Sequence, residues 1–484
     1  MAKRGLTRNF APFKILTDEQ VDSIITGTLE VLEETGVRVE HEKALKVFES
    51  NGCNVDYGER MVRIPPWMVE ESLQKCPRSF VIKARNPKDN VVMGGNGTCF
   101  KNSLGMQTID LDTWKPRVAT RKENYNAITV LDALENLHIL GPYTAYFGFE
   151  GIPPVMALPE SCASKFRNST KVQMEGYAND SELFQIQMAK AVGAEILQAV
   201  LASPPLTYYR EAIEALYRAV DAGFPILVGG GQICGGTGPV TLAGSLITNN
   251  VEVIVPIVLA QLIHPGSRVV VTDISWPINM RSGSPAFGGI ETSLHLVAFN
   301  QIWREYGVPT HNAMCGYVSS KTMDFQAGYE KAIQTFTAAL SGANLITLHG
   351  GISAELTYHP VQSIIDDDLA GMVKRFLQGI QVNDDTMALD LINQVGPIPG
   401  HYLSEEHTRN WWKEEQFIPK VSDRLTYPEW ESTGEKSALD YAKERMESLL
   451  ASHKPEPLTS SQEEEIERIL EEARRFYKKQ GKIS

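Results

Sequence analysis

From His138 onward, short β-rich runs alternate with amphipathic helical stretches, and this alternation constrains the fold more than any other feature of the chain. The runs lie near His138–Tyr143, Lys171–Met174, Leu197–Ala202, Pro225–Val228, Val269–Asp273, Thr310–Met314 and Leu345–Leu348. The segments between them are long enough for crossover helices. Ala212, Ile213, Leu216, Ala219 and Val220 form one apolar face that Gly223 stops, and Leu294, Val297, Ala298 and Ile302 form another. Such alternation implies a parallel sheet. With an eighth strand near Thr98–Asn102, the pattern predicts an α/β fold closed as a TIM (β/α)8 barrel. A doubly wound open sheet is the alternative, weakened because no Gly-x-Gly-x-x-Gly turn follows the first strand.

Flanking segments fill out the 484 residues. Residues 1–135 read as an N-terminal α+β cap, 136–396 as the barrel, and 397–484 as a C-terminal helical extension packing on it. Two capping boxes open helices in the cap, Thr17 with Gln20 and Thr120 with Glu123. The last helix carries Ile466, Ile469, Leu470, Ala473, Phe476 and Tyr477 on one stripe, the mark of a helix packed on its own body.

Composition excludes several classes. A net charge of −13 argues against a nucleic-acid partner, which needs a basic face. The six cysteines are scattered and include no C-x-x-C pair, so neither a disulfide framework nor a structural zinc site is expected, and the reducing cytoplasm is the expected compartment. The basic start has no apolar run behind it, so no signal peptide is expected. No apolar stretch nears the roughly 20 residues that span a bilayer; Val251–Ile263 is interrupted by Glu252, Pro256 and Gln261.

A parallel barrel places its site at the carboxyl ends of the strands. Those ends are rich in aromatics and poor in metal ligands. Tyr146, Phe147, Phe149, Tyr177, Tyr208, Tyr209, Trp276 and Tyr317 all fall there, and aromatic faces attract quaternary ammonium groups. Packing is the alternative for each ring. Tyr146, Tyr177, Tyr208 and Trp276 are the candidate walls of a cation cage. His349, after the run Leu345–Leu348, is a candidate carboxylate donor or a structural histidine. Arg281 is a candidate two-pronged carboxylate partner or a surface arginine. Asp366, Asp367 and Asp368 read as a helix N-terminus rather than a metal site. The glycine run containing Gly229, Gly230, Gly231, Gly235 and Gly236 lacks the phosphate-loop pattern; it either gives a large flat group close approach or simply turns the chain.

Several segments together resemble the trimethylamine methyltransferase family: Ser203-Pro-Pro-Leu206, Gly235-Gly-Thr-Gly-Pro-Val-Thr-Leu-Ala-Gly244, His264-Pro-Gly266, Gly288-Gly-Ile-Glu291, Tyr306-Gly-Val-Pro309, Asp324-Phe-Gln-Ala-Gly-Tyr-Glu330, Ser341-Gly-Ala-Asn344 and Ile365-Asp-Asp-Asp368. The resemblance implies a TIM barrel that moves a methyl group from an amine to the cobalt of a corrinoid (cobalamin) carried by a cognate corrinoid protein. It implies no metal bound by the chain itself, and a homo-oligomer is expected. The glycine run would give the corrinoid room. The family's trimethylamine enzymes use pyrrolysine, placed among the late strands between about Asn312 and Gly351. This chain has only the twenty standard residues. Relatives without pyrrolysine include glycine betaine demethylases, and the leaving group favours that substrate class. A neutral tertiary amine would have to leave as an amide anion, whereas a quaternary ammonium leaves as a neutral amine. A trimethylamine enzyme lacking pyrrolysine, a non-catalytic betaine-binding or corrinoid-docking subunit, and a Schiff-base aldolase using Lys171 are the other readings.

Overall fold

A computed structural model describes residues 5–143 and 145–483; most of the basic start lies outside them. Eight parallel strands form the barrel: β1 (Gly97–Asn102), β2 (Ile139–Leu140), β3 (Val172–Glu175), β4 (Ile196–Leu201), β5 (Ile226–Gly229), β6 (Val269–Asp273), β7 (Thr310–Asn312) and β8 (Leu345–His349). Each strand pairs with the next in chain order, and β8 returns to β1 with Leu345 opposite Cys99 and Thr347 opposite Lys101. Every expected strand is present, and closure removes the open-sheet alternative. A helix follows each strand: α1 (Arg121–Ala133), α2 (Ala157–Asn168), α3 (Glu182–Ala191), α4 (Arg210–Asp221), α5 (Leu242–Ile263), α6 (Ile290–Glu305), α7 (Phe325–Ser341) and α8 (Pro360–Gln378). The first barrel strand therefore belongs to the segment expected as the cap, and the sequence boundary at 135 falls inside the barrel.

Both predicted capping boxes form. Thr17 opens the cap helix Asp18–Glu34, and Thr120 opens α1, each exchanging hydrogen bonds with its partner three residues on. Arg117, paired with Glu123, draws that carboxyl down to about 2. The cap's small sheet takes its edge strand, Thr207–Tyr208, from the loop after β4, which sews cap to barrel.

The amino end of the barrel is plugged. The hairpin Ser79–Ile82/Val91–Gly94 sends Phe80, Ile82, Val91 and Met93 into one cluster with Cys99, Ile139, Val172, Leu197, Leu227, Val270 and Leu345. Arg268 locks the plug, donating to the carbonyl of Val81 while pairing with Glu195. Any small ligand inside the barrel therefore has to arrive through the carboxyl end.

α5 is a 22-residue helix, apolar enough by composition to cross a membrane, contrary to the expectation that no stretch comes close. Most of it is buried between the barrel and the cap, where Val251, Val253, Ile254, Val255, Ile257 and Val258 join the largest apolar cluster. The C-terminal helices α9 (Ala438–Ser452) and α10 (Ser460–Lys479) pack on the helices around the barrel. Ile466, Ile469, Leu470, Ala473 and Tyr477 of α10 meet Phe166 of α2 and Phe184 of α3.

The three aspartates of α8 sit in its interior rather than at its start. At about 100° per residue they diverge, each to its own partner. Asp366 pairs with Lys331 at 2.9 Å and accepts from the Gly350 N–H. Asp367 accepts from the Asn136 N–H. Asp368 accepts from the N–H groups of Lys420, Val421 and Ser422. Lys331 in turn donates to the carbonyls of Gly316 and Leu348, so this buried pair ties α7 and α8 to the end of β8. Replacing Asp366 by Ala would leave the Lys331 ammonium buried without its counter-charge. It is expected to destabilise the fold by about 3–5 kcal/mol, read as a lower urea midpoint, whereas Asp385→Ala on the exposed segment is expected to have little effect.

Candidate active site

Alternation along the strands decides which side chains enter the barrel. Cys99, Val270 and Leu345 belong to the interior cluster, so Lys101, Thr272 and Thr347, two residues further on, point into the same space one layer nearer the mouth. His311 joins them. Its Nδ1 lies 2.8 Å from Thr272 Oγ1 and its Nε2 2.9 Å from Thr347 Oγ1. Burial, reinforced by the charge of Lys101, holds His311 well below the usual imidazole range, so the ring is neutral. A neutral imidazole has one N–H. One threonine therefore gives its hydrogen to the ring, and the other receives from the ring and keeps its own hydrogen to donate elsewhere.

Lys101 is almost fully buried, and among the described residues its Nζ makes one hydrogen bond, 3.3 Å to the carbonyl of the adjacent Asn102. Gly141, just past β2, lies beside it: a Cβ there would meet Nζ at 3.5 Å, in ordinary contact, and the Asn102 carbonyl at 3.0 Å. Burial, helped by the charge of Lys165, lowers the Lys101 pKa to about 7. The other buried lysines are fully served. Lys165 pairs with Glu175 at 2.6 Å, Lys331 pairs with Asp366, and Lys171 donates to the carbonyls of Leu131 and Leu134 at the end of α1. Lys171 thus caps a helix outside the barrel and is no Schiff-base candidate.

Above this polar layer, aromatic rings flank the turn 103–105. On one side Tyr143 lies against Gly176, where a Cβ would meet its phenol at 3.4–3.5 Å, and its ring leans at 38° on Phe147 with centroids 4.6 Å apart. Phe147 N–H donates to the Gly105 carbonyl. On the other side Trp276, Phe287 and Tyr317 follow one another at 5.6 and 6.2 Å, and Tyr317 Oη accepts from the Leu104 N–H. Ala313 and Met314, at the end of β7, complete that cluster. The Trp276 indole N–H has no hydrogen-bond partner among the described residues.

The sequence candidates separate on this frame. Trp276 stands at the mouth, half-buried. Tyr177 is turned to the strand edge, its hydroxyl 3.0 Å from the Leu201 carbonyl. Tyr208 is fully buried behind β5, donating to the carbonyls of Glu252 and Gly229. Tyr146 packs against Tyr358 and donates to Thr108 within the cluster under α1 and α8. His349 is a correction. A bulge between Thr347 and His349 breaks the alternation and turns the imidazole outward, edge-on to Phe100 and 3.4 Å from Asp367 of α8. Burial pulls the Asp367 carboxyl up, but His349 and the Asn136 N–H outweigh that and leave it below its usual range. Arg281 lies exposed on the loop after β6. Of the glycines, Gly229 ends β5 beneath Thr272, and a Cβ at Gly230 would collide with Asn249 Oδ1 and Glu252 Oε2 at 2.5 Å. Gly231 has open space around it, and Gly235 and Gly236 are exposed on the same loop. Lys101 and His311 escaped the sequence reading. Counting alternation outward from Cys99 would have found Lys101.

Asp273, His295, Ser245 and Cys234 form a buried chain at 2.9, 3.2 and 3.1 Å. The order imitates a serine nucleophile. Asp273, however, shares its strand face with Val269 and Val271, on the helix side of the sheet, so the chain ties α5 and α6 under the loops after β5 and β6.

The barrel is thus plugged at its amino end and carries aromatic rings over a buried amine at the other. The comparisons with known proteins narrow the class. Residues 1–476 match the family model described as trimethylamine methyltransferase (MTTB), and the chain belongs to that family. A glycine betaine methyltransferase of Desulfitobacterium hafniense is 35% identical over 91% of this chain and 91% of its own length. A trimethylamine methyltransferase MttB from another strain of that species is 32% identical over 95% and 94%. The crystal structure of the Methanosarcina barkeri monomethylamine methyltransferase (MtmB) covers 89% of the chain and 94% of its own length at 14% identity, with a TM-score of 0.47.

Lys101 ties the site to stability. In the unfolded chain its pKa is 10.5, and in the fold about 7. Between those values the unfolded state holds a proton that the folded state lacks, so this group's contribution to stability rises with pH across that window. Lys101→Met is expected to raise the free energy of unfolding at pH 7 by ~1–4 kcal/mol, on the precedent of buried ions replaced by apolar groups. The gain is expected to shrink as pH rises toward 10. Denaturant melts of both proteins at pH 7, 8.5 and 10 check it.

Proposed function

We propose that this methyltransferase takes a methyl group from a quaternary amine, glycine betaine or a related betaine, and passes it to the corrinoid of a partner protein docked over the barrel mouth. The observation that carries the reading is the pair of aromatic groups, Tyr143 with Phe147 and Trp276 with Phe287 and Tyr317, flanking one turn above a barrel whose other end is closed. Ring faces hold a cation without hydrogen bonds, which suits a nitrogen with four carbon substituents. The 35% identity to a glycine betaine methyltransferase supports the substrate class.

Chemically, the chain has little to do to the substrate itself. The nucleophile belongs to the corrinoid. The protein's part is to fix the cation so that one methyl faces the mouth, and to exclude water, against which positive charge dispersing in the transition state would otherwise be set. The rings are rigid and make no bond to the amine that must break as it leaves. Exposed Gly235 and Gly236 and open Gly231 give the rim a low profile for a flat macrocycle. The six cysteines, all unpaired, support a reducing cytoplasmic setting.

The test mixes the protein with a reduced corrinoid protein and glycine betaine, carnitine, proline betaine or trimethylamine, and follows the corrinoid spectrum. Methylation by a quaternary amine is expected. Turnover of trimethylamine alone would overturn the substrate class, and silence with every quaternary amine would overturn the activity. Trp276→Ala and Tyr143→Ala are each expected to lower kcat/KM by about 10- to 30-fold, since a desolvated cation–π contact is worth about 2 kcal/mol. Tyr209→Ala, an exposed ring at the edge of the cap, is expected to leave kcat/KM unchanged.

A further inference from the structure

We infer that Lys101, inside the barrel, holds the carboxylate of a zwitterionic amine and so points its quaternary nitrogen up through the mouth. The inference rests on the proposed function and gives it a specificity-determining residue.

A buried ammonium is costly unless an anion meets it. The fold supplies that anion to Lys165 and to Lys331, yet among the described residues no carboxylate lies within ion-pair reach of Lys101. Its neighbours on every side are neutral or already paired. Thr347 on β8 is its direct strand partner, with neutral His311 beyond it on β7. Gly141 directly follows β2, and Lys165 reaches in from α2 locked to Glu175. Tyr143, two residues past Gly141, has its phenol pushed up to about 12 by burial and by the nearby Tyr177 and Glu175. Lys101 is therefore a buried amine with no anionic partner among the described residues, one layer below the aromatic groups.

Depth supplies the orientation. In a betaine one methylene separates carboxylate from nitrogen. With the carboxylate held at Lys101, the trimethylammonium stands above it among the rings, its methyl groups toward the carboxyl end of the barrel. The threonine that keeps its hydrogen beside His311 offers a second donor to the same carboxylate. A carboxylate-free cation gains nothing from either group and leaves Lys101 unpaired, so the layer discriminates between betaines and simple methylamines.

Binding also has a proton signature. Free Lys101, with a pKa of about 7, is mostly neutral at pH 8 and mostly charged at pH 6. A bound carboxylate favours the charged form. Betaine is therefore expected to draw close to one proton per site from solution at pH 8, and much less at pH 6.

Calorimetry on the full chain, in buffers of different ionisation enthalpy and with glycine betaine and tetramethylammonium as probes, tests this. For the wild type, expected results are tighter binding of betaine than of tetramethylammonium and proton uptake with betaine alone. For Lys101→Met, betaine affinity is expected to fall about 30-fold or more and the uptake to vanish, while tetramethylammonium stays within threefold. If tetramethylammonium binds while betaine binds no tighter and takes up no proton, the role of Lys101 is overturned and the cation site stands. If neither probe binds, the proposed function fails and this inference with it. Should Lys101→Met not fold, the wild-type proton uptake at pH 8 against pH 6 decides alone: equal uptake at both overturns the role.

Discussion

The pairing of β1 with β8 is the constraint on which the rest of the molecule depends. It joins residues 97–102 to residues 345–349 across some of the longest sequence separations in the chain. Closure leaves the sheet no open edge and fixes all eight carboxyl ends on one face. The same ladder places Lys101 opposite Thr347 and carries the bulge that turns His349 away. One interface thus closes the barrel, builds the polar layer under the mouth and removes the histidine that sequence alone put there.

Two buried lysine–carboxylate pairs hold the rim in shape. Lys165 with Glu175 clamps the ends of β2 and β3 through the carbonyls of Gly141 and Met174. Lys331 with Asp366 clamps the end of β8 and the loop after β7. In each case the lysine spans two strand ends, so the pair acts by fixing relative position as much as by its own energy. Buried pairs of this kind contribute little net stability compared with apolar packing. Their value here lies in keeping the loops that carry Tyr143 and Tyr317 at fixed height over the barrel.

The sequence revealed the scaffold far more fully than the site, and the difference has a physical cause. Strands and helices are written in local periodicity, so all eight strand positions and both capping boxes could be read directly, Thr17–Gln20 and Thr120–Glu123 included. Family membership was legible in eight short segments. Side-chain direction is less local. His349 follows a clean apolar run and should have faced inward, but a one-residue bulge reversed it, and bulges leave no reliable signature in composition. Asp366–Asp368 looked like a helix start because acids favour that position. Their real partners, Lys331, Asn136 and the 420–422 backbone, lie 35 to 231 residues away in sequence or on another element. Lys101 was missed for the opposite reason. Its strand was legible, but a lysine among polar neighbours looks like surface until alternation from Cys99 is counted.

A barrel with one open end imposes an order on any reaction that joins two partners there. On the proposed reading, the amine would descend past Trp276 and Tyr143 to reach the layer of Lys101. A corrinoid protein seated on the rim formed by Gly231, Gly235 and Gly236 would cover that path. In that arrangement the amine would enter first, and the demethylated product would leave only after the corrinoid protein lifts. That order removes any need for a mobile lid, because the acceptor itself excludes water at the moment of transfer. It also explains why a rigid cage suffices. The rings need not close on the cation; they hold it in place until the second partner completes the enclosure.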